Sequence, residues 1–395
     1  MADIKNIVTL GVGIMGQGIA QVALMAGYNV TLVDVNDELV NKAYSAIEGG
    51  IKKSEEKGKL GEGITTSDIM KRCKKSTDLA SAVKDIDMVI EAVIEKMEIK
   101  KQVCKITMDN GPSHIIFASN TSTMSITEIG KDCGAPERVC GMHFFNPVVL
   151  MACIEVIKGD STSEETFNIA MDVAKSLPVL RGRRYIAPVL KDRPGFIVNR
   201  LNAPVQIYLN YVFDYAKENN IPWERIDADA GGKMPMGPCQ LIDFTGIDTM
   251  VHIGNYYAET LSPNFKPGKV VQEMVESGNL GAKTGKGFYD WSQGRDGIKA
   301  KVKAAEPAGI FDLENSLAIM LNEGCRILEE GIATGFKIID DANMAGMNSP
   351  GPFGAGKNNY EKWSGLLEEL ADKTGKEYFR PCALMKSGGF VKMRK

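Results

Sequence analysis

The chain has 395 residues, of which 44% are hydrophobic and 25% charged, and its formal net charge is -3. This length predicts two or three domains with large hydrophobic cores, because a domain commonly holds about 150 residues. The nearly neutral charge argues against a general nucleic-acid-binding protein, and no run reaches the roughly 20 apolar residues of a membrane helix.

The cysteines and histidines are typical of a protein in a reduced compartment. The eight cysteines are scattered, with no C-x-x-C pair, and there are only three histidines. This pattern predicts neither a disulfide framework nor a bound metal. The first residues leave no room for a signal peptide ahead of a strand-like run. We therefore expect a cytoplasmic protein with no membrane partner.

The first predicted elements are a strand over residues 4–10, a glycine turn, a helix, and a second strand that ends at Asp34. The turn contains G-x-G-x-x-G as Gly11, Gly13 and Gly16. In a dinucleotide-binding unit the first glycine makes a tight turn, the second lets a pyrophosphate approach the backbone, and the third lets the helix pack on the strand. The pyrophosphate then lies on N–H groups at the start of the helix.

Asp34 indicates which dinucleotide is bound. It lies at the strand end where an acid accepts hydrogen bonds from the adenosine ribose hydroxyls. The next residues, "VNDELV", contain no Arg or Lys to bind a 2′-phosphate, and Asp37 and Glu38 would repel one. The motif therefore favours NAD over NADP. A strand–helix–strand unit without a cofactor is the alternative interpretation.

Three further strands are predicted over residues 87–94, 114–120 and 138–145, with helical segments between them. Alternating strands and helices predict a parallel, doubly wound sheet in an α/β Rossmann-type domain, whose ligands bind beyond the carboxyl ends of the strands. The residues at those ends are expected to face one crevice. They are Glu95, Ser119, Asn120, Thr121, Ser122 and His143.

His143 and Glu155 form a candidate catalytic pair. Glu155 lies in the apolar run "LMACIEVIK", where a carboxylate needs a partner, and His143 ends a predicted strand upstream. Imidazole titrates near neutral pH and can take a hydroxyl proton during hydride transfer, while a carboxylate on its other nitrogen fixes the tautomer. A core histidine bonded to a core glutamate is the alternative. For His114 and His252 we expect structural roles.

Eight motifs, in one order, resemble those of a known family. They are "GVGIMGQGIA", "EAVIEKMEIKKQ", "FASNTST", "GMHFFNPV", "IEVIKG", "RPGFIVNRL", "MPMGPCQLIDFTGID" and "KTGKGFYDW". From Gly11 to about Trp291 the chain resembles the NAD-dependent L-3-hydroxyacyl-CoA dehydrogenases, which include the 3-hydroxybutyryl-CoA dehydrogenases. The resemblance implies oxidation of an (S)-3-hydroxyacyl-CoA to the 3-oxoacyl-CoA, and the reverse reaction. The intact "HFFNP" segment favours a CoA thioester over a free hydroxy acid.

The same resemblance implies roles for individual residues. His143 would be the catalytic base and Glu155 its partner. Ser122 and Asn199 would contact the substrate oxygen or the histidine, and Asn146 would help to place nicotinamide and substrate. The residues implied to hold NAD are Gly11, Gly13, Ile14, Met15, Gly16, Asp34, Glu95, Lys100, Ser122, Asn146 and Lys283.

Two segments depart from the family pattern. The family contacts CoA through a hydroxyl and a lysine after the second strand, and here the hydroxyl position is Gly50. Lys57, with Lys53 nearby, remains a candidate for binding the CoA phosphates, although a charged run such as "KKSEEKGK" is usually a solvated face. The segment "LRGRRYIAP" is longer and more basic than usual, which predicts an altered hinge between domains.

The second half is helical and contains an internal repeat. Residues 209–238 align with residues 321–352 and share Leu-Asn, Ile-Asp and Gly-Pro pairs, which indicates a duplication. We therefore predict two all-α domains after the Rossmann-type domain, the second one degenerate. The predicted boundaries are 1–190 for the NAD-binding domain, 191–292 for the helical domain, 293–311 for a linker and 312–395 for the second copy.

The duplication bears on the oligomeric state. In single-copy relatives the helical domain pairs two subunits across a symmetric interface. A fused second copy in the partner's place predicts a monomer, or a homodimer built on another surface.

Two other functions remain open from the sequence. One is a related dehydrogenase of a free 3-hydroxy acid, and the other is a non-catalytic NAD-binding scaffold, since a fold alone does not guarantee chemistry. A scaffold has no need of the set His143, Glu155, Ser122 and Asn199, which argues against it.

Overall fold

An eight-stranded sheet forms the centre of the first part of the chain, in the order β3-β2-β1-β4-β5-β6-β7-β8. The computed structural model describes residues 4–395. The strands are β1 (Asn6–Leu10), β2 (Asn29–Val33), β3 (Cys73–Ser76), β4 (Met88–Glu91), β5 (Ile116–Ser119), β6 (Val139–Phe144), β7 (Cys153–Ile157) and β8 (Tyr185–Val189). The order β3-β2-β1-β4-β5 is that of a doubly wound dinucleotide-binding sheet, as predicted.

One end of the sheet departs from the predicted parallel arrangement. Strands β1 to β6 are parallel to one another. Strand β7 pairs with β6 in the antiparallel direction, and β8 then runs parallel to β7. Residues 145–152, which join β6 to β7, are too few for a parallel crossover, which takes a dozen or more residues. The strands predicted from the sequence, β1, β2, β4, β5 and β6, are parallel as expected, whereas β7 and β8 were not assigned from the sequence.

Within residues 4–184, seven α-helices accompany these strands. They are α1 (Ile14–Met25), α2 (Asp37–Glu56), α3 (Thr66–Met70), α4 (Leu79–Ala82), α5 (Met97–Asn110), α6 (Ile126–Gly130) and α7 (Glu164–Ser176). Strands β4 to β7 are buried along their whole length. Strands covered on both faces have near-continuous apolar sequences, which is why an acid inside such a strand stands out.

After β8 the regular structure consists of helices. They are α8 (Val198–Asn202), α9 (Val205–Glu218), α10 (Trp223–Asp229), α11 (Pro238–Thr245), α12 (Ile247–Thr260), α13 (Lys269–Glu276), α14 (Gly294–Ala304), α15 (Leu313–Glu329), α16 (Phe336–Met347), α17 (Phe353–Gly356), α18 (Tyr360–Thr374) and α19 (Ala383–Ser387). The stretch predicted as a linker contains α14, which packs against α10. None of the helices within residues 4–395 combines the length and apolar character needed to span a bilayer.

The described chain divides into two compact units. One unit holds the residues up to Asn199 together with Ile327–Gly351 and Lys395, and the other holds Arg200–Arg326 and Pro352–Arg394. A segment of the predicted second helical copy therefore belongs to the unit that contains the sheet. The four domain boundaries given above remain predictions.

The same packing of a glycine against an aspartate occurs in both predicted helical copies. A Cβ added at Gly237 would lie 2.4 Å from Cγ of Asp227, whose carboxylate accepts hydrogen bonds from the first backbone N–H groups of α11. In the second copy, a Cβ added at Gly351 would lie 2.0 Å from Oδ1 of Asp340. These residues are the Ile-Asp and Gly-Pro pairs of the sequence repeat. The shared packing supports the predicted duplication.

Candidate active site

The turn between β1 and α1 requires glycine at two positions. Gly11 has a φ of +86°, and a Cβ on it would lie 2.6 Å from the carbonyl oxygen of Ala92. A Cβ on Gly16 would lie 1.8 Å from the carbonyl oxygen of Gly11. Around Gly13, by contrast, no heavy atom of residues 4–395 other than those of Gly13 and its two chain neighbours lies within 4 Å of an added Cβ. The turn is therefore tightly packed on the protein side and open at Gly13.

The start of α1 fits a pyrophosphate group. Its capping residue is Gly13, which has no side chain to accept from the N–H groups of the first turn. Such groups at a helix start bind phosphate oxygens and are reinforced by the helix dipole. Ile14 and Met15 begin this turn, and Ile14 is 76% exposed. The open face at Gly13 and the uncapped helix start are what the phosphates of a dinucleotide need.

Asp34 follows β2 and lies beside the same turn. Its Oδ2 accepts a hydrogen bond from the backbone N–H of Val12 at 2.8 Å, and its Oδ1 accepts one from Val35 at 2.7 Å. These bonds fix the carboxylate at the end of the strand. This is where an acid accepts from the ribose hydroxyls of a dinucleotide.

His143 and Glu155 lie directly opposite each other on β6 and β7. The Cβ atoms of such cross-strand neighbours lie about 5 Å apart, close enough for their side chains to meet. Nδ1 of His143 lies 2.6 Å from Oε2 of Glu155, and the two side chains are 4% and 0% exposed. The buried glutamate thus has the predicted partner, which the antiparallel return of β7 brings to it.

The second carboxylate oxygen of Glu155 binds the start of helix α8. Oε1 accepts hydrogen bonds from the backbone N–H groups of Ile197 and Val198, at 3.0 and 2.9 Å. These residues lie at the start of α8, which carries Asn199. One carboxylate therefore orients the histidine and holds the helix start beside the predicted substrate-contacting asparagine.

Two phenylalanine rings pack near the imidazole of His143. The ring centroid of Phe145 lies 4.5 Å from that of His143, and the centroid of Phe196 lies 5.9 Å away. Phe196 has a φ of +54°, a left-handed conformation that is uncommon for residues other than glycine. Such a conformation costs roughly 1–2 kcal/mol and persists where surrounding contacts require it. The rings restrict the orientation of the histidine from two directions.

A network of charged groups lies at the ends of β4 and β5. The ammonium of Lys100 lies 2.7 Å from Glu91 and 3.1 Å from Glu95. Glu91 also accepts a hydrogen bond from the hydroxyl of Ser119 at 2.6 Å, and Glu95 accepts one from the backbone N–H of Ser122 at 3.1 Å. The position of Ser122 is therefore fixed by a glutamate that is itself held by a buried lysine.

The environment of Glu95 keeps it ionised. Burial alone would raise the pKa of Glu95, but the Lys100 ammonium and hydrogen bonds from Thr121 and Ser122 outweigh burial and hold the pKa below its ordinary value. The carboxylate is thus a permanent acceptor for the "SNTS" turn at neutral pH.

Comparisons with known proteins agree with this geometry. Residues 6–180 match the NAD-binding domain of the 3-hydroxyacyl-CoA dehydrogenases, and residues 195–291 match their C-terminal domain. Human mitochondrial hydroxyacyl-coenzyme A dehydrogenase is 36% identical over 297 residues, which cover 73% of this chain and 91% of the human protein. The chain belongs to the 3-hydroxyacyl-CoA dehydrogenase family.

Two solved structures differ in how much of this chain they match. The 3-hydroxybutyryl-CoA dehydrogenase of Escherichia coli aligns with a TM-score of 0.85 over 99% of each chain, at 26% identity. The (S)-3-hydroxybutyryl-CoA dehydrogenase of Ralstonia eutropha aligns with a TM-score of 0.65 over 99% of its own chain but only 73% of this one, at 35% identity. The dehydrogenase described here uses NAD, and it is longer at its C-terminal end than the two family domains that it matches.

The sheet-containing unit of this dehydrogenase holds most of the residues predicted for the site. Asn146 is exposed and follows β6 shortly after His143, and Asn199 is half-buried in α8. Lys100 is buried and forms ion pairs with Glu91 and Glu95. Its contribution to cofactor binding stays a prediction, and any effect on the cofactor would pass through Glu95. Lys283 lies in the other unit and pairs with Asp248 at 2.6 Å. Its contact with NAD also stays a prediction.

The candidate CoA-binding residues lie on α2 and at its end. Lys53 is exposed in the last turn, and Lys57 is the exposed C-cap residue. A Cβ added at Gly50 would lie 2.5 Å from the side-chain oxygen of Gln21 on α1, so the neighbouring helix fills the place of the missing hydroxyl side chain. Both lysines are accessible, and their role stays a prediction.

Glu91 and Phe196 were not predicted from the sequence. Glu91 sits inside the apolar run "DMVIEAVI", which is the same signal that marks Glu155. Phe196 had no comparable signal, because its importance comes from a backbone conformation that brings its ring to His143.

Proposed function

We propose that this dehydrogenase interconverts (S)-3-hydroxyacyl-CoA and 3-oxoacyl-CoA, with His143 as the catalytic base. The observation that carries the proposal is the buried 2.6 Å contact between His143 and Glu155 in the unit that also holds the dinucleotide turn. The human and Ralstonia relatives, named for hydroxyacyl-CoA and (S)-3-hydroxybutyryl-CoA respectively, support the substrate class.

The geometry defines how the base works. A carboxylate only accepts, so Nδ1 of His143 carries the proton in the bond to Glu155, and Nε2 presents its lone pair. During oxidation Nε2 takes the proton of the substrate hydroxyl, and the neighbouring carboxylate stabilises the imidazolium that forms. Held at the glycine turn and Asp34, NAD would supply the acceptor for the hydride that leaves C3 of the substrate. In the reverse direction the imidazolium returns its proton to the carbonyl oxygen.

Three polar residues are proposed to position the substrate. Ser122 lies on the turn held by Glu95, and Asn199 lies on the helix whose start is held by Glu155. The carboxylates of Glu95 and Glu155 hold the backbone at these two places, so both side chains approach the reacting oxygen from fixed positions. Asn146 is proposed to place nicotinamide and substrate, and Lys53 and Lys57 to bind the CoA phosphates.

The test is NADH oxidation with acetoacetyl-CoA, run beside free acetoacetate and beside the His143→Ala variant. We expect reduction of the thioester only, and a variant that binds NADH but is inactive. Equal activity on acetoacetate would replace the proposed substrate by a free 3-oxo acid. NADH binding without reduction of either compound would favour the non-catalytic scaffold.

We further propose that the second helical copy replaces the dimer partner of single-copy relatives, and that the protein works in the cytoplasm. The support for the first point is the aspartate–glycine packing found in both copies, and for the second the scattered cysteines of the sequence, which include no C-x-x-C pair. Light scattering during size-exclusion chromatography should give the mass of one chain. A dimer would require an interface on another surface, and cell fractionation tests the compartment.

A further inference from the structure

Helix α16 is part of the sheet-containing unit although it lies in the predicted second helical copy. The segment Ile327–Gly351 clusters with that unit, and α16 packs against β7 and β8. The backbone N–H of Leu190 donates to the carbonyl of Ile332 at 2.9 Å, and the N–H of Ala152 donates to the carbonyl of Ala345 at 3.1 Å. Ala152 directly precedes β7, the strand that carries Glu155.

The close approach of α16 depends on Gly346. This residue lies on the buried face of the helix together with Ile339, Ala342 and Asn343. A Cβ added at Gly346 would lie 3.2 Å from two ring carbons of Phe145. Glycine is disfavoured inside a helix relative to alanine. Its presence here is explained by the space that the phenylalanine ring occupies.

Phe145 connects this packing to the catalytic base. Phe145 is 7% exposed, and its ring centroid lies 4.5 Å from that of His143, at an interplanar angle of 57°. A side chain at position 346 requires the phenylalanine ring to move, because its Cβ would be tighter against the ring than ordinary van der Waals contact and protein interiors are close-packed. A displaced ring would change the orientation of Nε2.

We propose that Gly346 is a positioning residue for His143, acting through the ring of Phe145. The inference rests on the proposed function and adds to it, because the family domain models end at residue 291 and position 346 lies beyond them. The C-terminal part of the chain thereby contributes to the geometry of the base without touching substrate or cofactor.

The experiment compares Gly346→Val with the matched control Gly365→Val. Gly365 lies in α18, where an added Cβ has no heavy atom of residues 4–395 within 4 Å apart from its chain neighbours and the backbone of its own helix. The control therefore makes the same change of helix propensity in open space. The chain has three histidines, so histidine labelled with ¹³C at Cε1 alone gives three ring signals, and the His143 signal is the one that His143→Ala removes. Turnover of acetoacetyl-CoA and the Kd for NADH are measured on the same samples.

We expect Gly346→Val to shift the His143 signal and to lower kcat at least about tenfold, since misplacements of about 1 Å can cost about 100-fold. The Kd for NADH should change less than about twofold, and Gly365→Val should resemble the wild type. Gly346→Ala should show a smaller shift in the same direction, which keeps the test available if the valine variant does not fold.

An unchanged His143 signal with unchanged kcat in the Gly346 variants would overturn the proposal. Equal losses in Gly365→Val would overturn it as well, because the effect would then come from helix propensity. A wild-type protein that does not reduce acetoacetyl-CoA would defeat the proposed function instead, while the NMR comparison would still decide whether position 346 controls the histidine.

Discussion

Glu91 and Lys100 form an ion pair that is almost completely shielded from solvent. The side chains are 0% and 1% exposed, and Lys100 also reaches Glu95 at 3.1 Å. A shielded pair contributes little net stability when complete, but loss of one partner leaves an uncompensated buried charge. The pair therefore holds the strand ends near Ser122, and its loss should lower the free energy of unfolding substantially.

Lys100→Met should destabilise the protein by about 3–5 kcal/mol, because Glu91 and Glu95 then face each other without a cation. The measurement is urea unfolding at pH 7. The control is Lys101→Met, which breaks a half-exposed pair with Glu128 at 3.2 Å and should cost less than about 1 kcal/mol. Similar unfolding midpoints for the two variants would show that the pair is not the anchor inferred here.

Glu155→Gln should separate catalysis from cofactor binding. An amide that keeps its oxygen toward Ile197 and Val198 presents an NH₂ group to His143, which moves the imidazole proton to Nε2 and removes the base. We expect kcat to fall by at least about 100-fold with little change in the Kd for NADH. His252→Gln, on the exposed side of α12, is the control. A threefold or smaller loss of kcat would contradict the assigned tautomer.

Two substitutions in the glycine turn should have different effects. Gly16→Ala places a Cβ 1.8 Å from the Gly11 carbonyl oxygen, so we expect a loss of stability of about 1–3 kcal/mol and weaker NADH binding together. Gly13→Ala has open space around its Cβ and should leave the melting temperature nearly unchanged while weakening NADH binding. Thermal melts and NADH fluorescence titrations measure the two effects. A Gly13→Ala variant with wild-type affinity would mean that the phosphates do not approach this turn.

Stability at acid pH should depend on Glu95. Because the folded-state pKa of Glu95 is lowered, its contribution is present above its unfolded value near 4.5 and is lost as the pH falls through the folded value. Between pH 6 and pH 3.5 the wild type should therefore lose more stability than Glu95→Gln. Urea midpoints at both pH values provide the measurement, and parallel losses in the two proteins would argue against the assigned direction.

Sequence patterns were sufficient where the chemistry is local. The glycine turn lies between β1 and α1 and Asp34 directly follows β2, as short-range spacing predicted, whereas β4 ends at Glu91 rather than at residue 94. The partnership of His143 and Glu155 was also predicted, because a lone acid in an apolar run requires a partner. The antiparallel course of β7, which creates that contact, was not predicted, since short strands in apolar runs have no directional signal.

Other features depend on contacts between distant parts of the chain. Nothing near Gly346 in the sequence indicates that its neighbour is Phe145, and the repeat suggested only that the second copy is structural. The pairing of Lys100 with two glutamates likewise depends on how α5 packs beside β4. Such contacts need the fold before they can be seen.

The hydrogen bond from Ala152 to Ala345 has a consequence for synthesis of the chain. During translation strands β1 to β8 emerge first, and α16, which belongs to the same unit, follows only after helices α8 to α15 have been made. Pairings between such distant residues form late and slow folding. Until then the parts of β7 and β8 that α16 covers are exposed, so nascent chains that stop near residue 311 should be aggregation-prone.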